Sequence, residues 1–107
     1  MKTLDSLRLV QEFIKNNKLA LLYFSDDMCS VCHDLLPKVE NMLLPYPEIK
    51  RARIEMIKLP ESAGEFSIFT APTILLFIDG KETIRDSRFI SVRQLNDKIE
   101  RYYDMLI

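Results

Sequence analysis

The chain has 107 residues, 48% hydrophobic and 29% charged, which is the length of one domain with one core and an ordinary globular composition. Its formal net charge of −1 excludes an overall pull toward nucleic acid or anionic lipid. No apolar run approaches the roughly 18 residues that span a bilayer. The N-terminal MKTLDSLRLVQEF carries Lys2, Asp5, Arg8 and Glu12 at intervals that break a signal-peptide core. A cytoplasmic location is therefore expected, where thiols are held mostly reduced. Two cysteines in a C-x-x-C pattern then read as catalytic or metal-binding before they read as a structural staple.

No internal repeat, low-complexity tract or linker is visible, and only 2 glycines are present, so short loops are expected within a single domain spanning residues 1–107. Leu4, Leu7, Val10, Phe13 and Ile14 recur at helical spacing, which predicts a helix over residues 4–17. LALLYF, residues 19–24, has the length of a strand buried on both faces. From Cys29 the pattern turns helical through Leu35, Leu36, Val39, Met42 and Leu43, with Pro37 expected to kink the helix and Pro45 and Pro47 to stop it.

RIEMIKL, residues 53–59, alternates as a strand. Residues 60–69 predict a short helix opened by Pro60. TILLFI, residues 73–78, is a second fully apolar strand, and Asp79-Gly80 turns it into a hairpin arm over residues 82–88. Ser91 with Gln94 forms a capping box for a last helix with Val92, Leu95, Ile99, Tyr102 and Leu106 on one stripe. The order predicts an α/β domain with a central mixed sheet and helices on both faces.

The stretch YFSDDMCSVCHDLLPK, residues 23–38, carries the chemistry. Cys29 and Cys32 follow a buried strand and open a helix. A helix N-terminus carries partial positive charge and free N–H groups, which stabilise a thiolate. Cys29 would lie at the cap with its sulfur exposed, and Cys32, one turn in, would be covered. That asymmetry suits two-step exchange, with Cys29 attacking a disulfide and Cys32 resolving the mixed disulfide.

Other readings stand beside this one. The pair could be inert core thiols. Cys29 to His33 also matches the short haem-attachment pattern, but a compact α/β domain lacks room for the ring and no export signal is visible. Zinc would need two further ligands, and His33 is the only histidine. His33 is most simply an exposed first-turn residue; the sharper reading makes it a proton relay or a tuner of a cysteine pKa. Asp26 and Asp27 are most simply loop residues, though facing Cys29 they would raise its pKa by repulsion. Met28 is either a core filler or an apolar contact for a partner. Glu48, Lys50, Arg51 and Arg53 read as a solvated charge cluster.

LALLYF, the pair CSVC, Pro37 five residues after Cys32, the segment TAPT and the FIDG turn stand in an order that resembles the thioredoxin family over nearly the whole chain. The resemblance implies a thioredoxin-like fold with its first strand reduced, and activity as a thiol-disulfide oxidoreductase on protein disulfides. It implies Cys29 as nucleophile, Cys32 as resolving thiol and Pro72 as a cis-proline beside the sulfurs. The backbone of Ala71 would hold the partner peptide, with Met28, Ser30 and Val31 completing the substrate-binding set. Such a protein needs no bound cofactor and takes its electrons from a separate reductase. No metal is expected, the charge and hydropathy predict engagement with neither nucleic acid nor membrane, and nothing in the sequence demands more than a monomer.

Departures from the family pattern are specific. Met28, Ser30 and Val31 stand where a tryptophan, a glycine and a proline are usual. Tyr23 stands at the position of a buried aspartate that helps deprotonate the resolving thiol, and a phenol of reference pKa about 10 is a poor base near neutrality. Arg53 stands for the lysine beneath the site, and Arg88 for the glycine of the partner-binding rim. These departures support a rival expectation, a thioredoxin-like binding or accessory module with little or no redox turnover.

Overall fold

A computed structural model describes residues 1–106. The elements in chain order are β1 (Lys2–Thr3), α1 (Leu7–Asn16), β2 (Leu19–Ser25), α2 (Ser30–Met42), β3 (Lys50–Glu55), α3 (Glu61–Glu65), β4 (Thr73–Ile78), β5 (Lys81–Ser87) and α4 (Val92–Leu106). The strands form one five-stranded mixed sheet in the order β1-β3-β2-β4-β5. β1, β3 and β2 run parallel; β4 and β5 run antiparallel to their neighbours.

Side-chain alternation along β2 divides the core between the two faces. Leu19, Leu21 and Tyr23 pack with Leu35, Val39 and Met42 of α2 and Leu95 and Ile99 of α4. Ala20, Leu22 and Phe24 point the other way, onto Val10 of α1, Ala52 and Ile54 of β3, and Leu59 and Ile68 near α3. Every residue from Leu19 to Phe24 is buried, because this central strand has helices over both faces.

Local chemistry sets the element ends. Ser6 Oγ accepts the Leu9 N–H at 3.2 Å, so α1 starts after it. Ser91 Oγ accepts the Gln94 N–H at 3.2 Å and caps α4. Asp79 and Gly80 both take positive φ, 51° and 79°, the backbone a two-residue hairpin turn requires. Helix α2 runs through Pro37 to Met42 and closes on Leu43, before Pro45.

Three expectations change. Leu4 does not belong to the first helix: it is buried after β1, and its N–H donates to the Arg53 carbonyl oxygen at 2.9 Å. β1 pairs Lys2 with Ala52 and Thr3 with Arg53, two exposed residues ordered only by their partner strand. The strand expected at 53–59 lies at Lys50–Glu55 instead. Its register against β2, from Ala20 with Lys50 to Ser25 with Glu55, ends where β2 ends. The Lys58 and Leu59 N–H groups then turn back onto the Glu55 carbonyl oxygen.

The expected charge cluster is also not simply solvated. Arg51 donates to the carbonyl oxygens of Tyr46 at 3.0 Å and Ile49 at 2.6 Å, tying down the turn that enters β3. Arg53 donates to Thr3 Oγ1 at 3.1 Å and pairs with Glu55 at 3.4 Å.

Candidate active site

The loop between β2 and α2 is shaped by Asp26. Its Oδ1 accepts the Met28 N–H and its carbonyl oxygen the Cys29 N–H, both at 3.0 Å. This turn delivers Cys29 to the N-cap of α2 in an extended backbone conformation, φ −100° and ψ 99°. The Cys32 N–H, free because it lies in the first helical turn, donates to Cys29 Sγ at 3.1 Å. The two cysteines are joined in a disulfide, with 5.3 Å between their Cα atoms. Cys29 is half-buried, whereas Cys32 is 2% exposed.

Opposite the pair, the Ala71–Pro72 peptide bond is cis. The Ala71 carbonyl oxygen lies 3.9 Å from Cys29 Sγ. A groove of about 380 Å³ opens there, lined by Cys29, Val31, Thr70, Ala71, Pro72, Arg88 and Phe89. Met28 is 88% exposed, so it is not a core filler. Val31, Phe69 and Phe89 are exposed as well. Ser30, the first residue of α2, is exposed beside them.

The other side of the pair is polar. Tyr23 is completely buried, and its hydroxyl donates to the Cys32 carbonyl oxygen at 2.6 Å. Burial pushes the phenol up to about 12, against a smaller opposing effect of the Arg53 charge. A cavity of about 20 Å³ adjoins Cys32, lined also by Tyr23, Ser25, Asp26, Asp27, His33, Leu36, Arg53 and Glu55. That is the space of one water molecule. Asp27 therefore opens toward the covered cysteine, and not onto the groove beside Cys29.

Glu55, at the end of β3, reaches this cavity without any motif to announce it. The hydrogen bond from Lys58, 2.9 Å away, holds its carboxyl below the usual carboxylate range, with help from the Lys58, Arg53 and His33 charges against the opposing effect of burial. The only signal in the sequence is its place two residues beyond Arg53, on the same face of a strand.

A mixed sheet carrying a bonded cysteine pair at the mouth of a helix has the architecture of a thiol-disulfide oxidoreductase of thioredoxin-like fold. The thioredoxin family model matches residues 3–101. The thioredoxin-like protein YdfQ of Bacillus subtilis is 43% identical over 96% of this chain and 92% of its own. Among solved structures, Fasciola hepatica thioredoxin is 29% identical with a TM-score of 0.85, covering 94% of this chain and 98% of that one. Plasmodium falciparum thioredoxin, at 20% identity, shares the fold with a TM-score of 0.87 over 95% of this chain and 99% of that one. The chain belongs to the thioredoxin family. The reading as a binding module without redox turnover is not favoured, since the family and the bonded pair agree on exchange chemistry. Among the described residues no helix is long and apolar enough to cross a membrane.

Proposed function

We propose that this protein reduces disulfides of other proteins, with Cys29 as the attacking thiolate and Cys32 as the resolving thiol. The observation that carries the assignment is the difference in cover: Cys29 borders the open groove, while Cys32 is 2% exposed behind it. Cys29 Sγ attacks one sulfur of the substrate; the substrate S–S bond breaks, and its other sulfur leaves as thiolate and takes up a proton. Cys32 then loses its proton and attacks Cys29 Sγ, which breaks the mixed disulfide. The partner departs reduced by two electrons, and Cys29 and Cys32 are left joined. A separate reductase returns them to thiols, so the cycle requires no bound cofactor.

In this reading Met28, Ser30 and Val31 contact the partner from the α2 side, and the Ala71 backbone with Pro72 supports its chain from the other. The cycle needs neither nucleic acid, nor a membrane, nor a second copy of the chain. It suits residues 1–107 acting as one domain in a cytoplasmic setting, where partner thiols are kept reduced.

The proton leaving Cys32 needs an acceptor. Tyr23 is a poor one, because its hydroxyl is already a donor and its pKa is raised to about 12. We assign the acceptor role to His33, reached through the water-sized cavity, with Glu55 stabilising the imidazolium. Support comes from the imidazole itself, which can both accept and donate a proton, and from the carboxylate on the same cavity.

Trapping tests the cysteine roles. Cys32→Ser is expected to accumulate mixed disulfides through Cys29, while Cys29→Ser abolishes insulin reduction. In the reduced parent, iodoacetamide should label Cys29 before Cys32, with half-maximal rate below the roughly pH 8.5 of a free thiol. Parent-like insulin reduction by the double Ser variant would sink the proposal.

A further inference from the structure

The groove beside Cys29 has one cationic wall. Arg88 is its only charged lining residue, and among the described residues no carboxylate pairs with its guanidinium. Its backbone lies in the left-handed region, φ 66°, which glycine favours and a long side chain such as arginine seldom adopts. That conformation is held from within the site, because the Arg88 N–H donates to the Pro72 carbonyl oxygen at 3.0 Å. The Ile90 N–H closes back onto the Arg88 carbonyl oxygen at 3.0 Å. The turn so formed leaves Phe89 98% exposed, with its ring at the edge of the groove. A solvated phenyl ring and an unpaired guanidinium thus line one groove with Cys29, and the Arg88 backbone is tied to Pro72 within it.

Neither side chain has a role in holding the fold. Phe89 joins neither core cluster, and the Arg88 side chain makes no hydrogen bond among the described residues. Val31, 56% exposed, supplies a second apolar wall across the groove. The remaining lining, Thr70, Ala71 and Pro72, is uncharged. An incoming chain therefore meets an apolar slot with a positive charge at its rim, and a carboxylate on that chain finds no competing anion in the groove.

We propose that this groove selects disulfide-bearing protein segments in which an acidic residue and an apolar residue flank the attacked cysteine. Arg88 pairs with the carboxylate, and Phe89 with Val31 encloses the apolar side chain. The inference rests on Cys29 being the attacking thiol, and it adds the class of partner sequence that Cys29 meets. Pairing at a solvated rim is modest in energy and screened by salt. It acts on encounter and register more than on the chemical step.

The test uses disulfide-bonded peptides that are identical except for the residue after the attacked cysteine: Glu, Gln or Lys. Rate constants for their reduction by the reduced protein are measured at low salt and at high salt. The Glu peptide is expected to react about two- to fivefold faster than the Gln peptide, and the Lys peptide slower, with the spread closing at high salt. Arg88→Glu should invert the order, and Arg88→Gly, which suits the left-handed backbone, should bring the three rates together. A second pair of peptides, with Leu or Ser on the other side of the cysteine, should lose its Leu preference in Phe89→Ser. Equal rates for Glu, Gln and Lys in the parent, or an unchanged order in Arg88→Glu, overturn the inference while leaving exchange chemistry standing. A Leu preference that survives in Phe89→Ser overturns the role given to Phe89. If none of the three peptides is reduced, the reading of Cys29 as the attacking thiol falls, and this inference with it.

Discussion

The hydroxyl of Tyr23 donates to the carbonyl oxygen of Cys32 across 2.6 Å, joining the central strand β2 to the first turn of α2 directly beneath the cysteine pair. The position that in the family's usual pattern supplies a buried acid here supplies a neutral brace. The ring contributes to the packing on α2 and α4, and the hydroxyl fixes the backbone that carries the covered sulfur.

Removing the brace should cost stability and leave proton transfer alone. Tyr23→Phe keeps the ring and deletes one buried hydrogen bond, so unfolding in urea should shift by about 1–1.5 kcal/mol. The pH profile of disulfide reduction is expected to keep its midpoint, because the phenol remains protonated to about pH 12 and never acts as acceptor near neutrality. A midpoint displaced by Tyr23→Phe would show that the hydroxyl takes part in moving the proton.

His33 and Glu55 are separable by kinetics. His33→Gln should slow resolution of the mixed disulfide by about 10²-fold, the low end of what a positioned base supplies. Glu55→Gln should slow it less, since Glu55 acts only through the imidazole beside it. A purely structural role for Glu55 would lower stability without slowing resolution. An unaltered rate of resolution in His33→Gln would place the acceptor elsewhere, with bulk water the first alternative.

Acid should expose the ion pair at the end of β3. The Lys58 hydrogen bond, first among its causes, depresses the Glu55 pKa below its ordinary 4.5. A depressed carboxyl stabilises the fold above that value, and the contribution is lost as pH falls below it. The parent should therefore exceed Glu55→Gln in stability at pH 7, by less than about 1 kcal/mol because Lys58 is solvated. The gap should narrow as pH falls below 4.5, as read from urea midpoints at neutral and at acid pH. A gap that stays constant with pH would mean that the carboxylate charge contributes nothing there.

Much of this site was legible from short-range pattern. LALLYF and TILLFI announced buried strands because six consecutive apolar residues can be satisfied only with cover on both faces. Asp79-Gly80 predicted its hairpin from turn geometry alone, and Ser91 its helix from one hydroxyl three residues before Gln94. Cys29 and Cys32 were placed at a helix mouth because the apolar period changes from continuous to helical between Phe24 and Leu35. The expectation that Cys29 is open and Cys32 covered needed only the pitch of one helical turn.

Other features depended on partners distant along the chain. β1 has no apolar signal of its own and exists because Lys2 and Thr3 find Ala52 and Arg53. The start and stop of β3 follow the length of β2, not its own alternation, so the stretch from Met56 to Leu59 could not be told from strand by periodicity. Arg51 looked solvated until the turn it braces was in place. Glu55, His33 and Cys32 come from β3 and α2, and only the parallel pairing of β2 with β3 sets them around one water-sized space.

The residues by themselves determined a sheet with two-sided cover and a reactive pair at a helix N-terminus, since both arise from interactions within a few positions along the backbone. Tertiary structure alone decided which side chains stand beside which sulfur: Arg88 and Phe89 on the open side, Glu55 and His33 on the covered one. Side-chain neighbours across a sheet depend on strand register, and register is a property of the assembled chain.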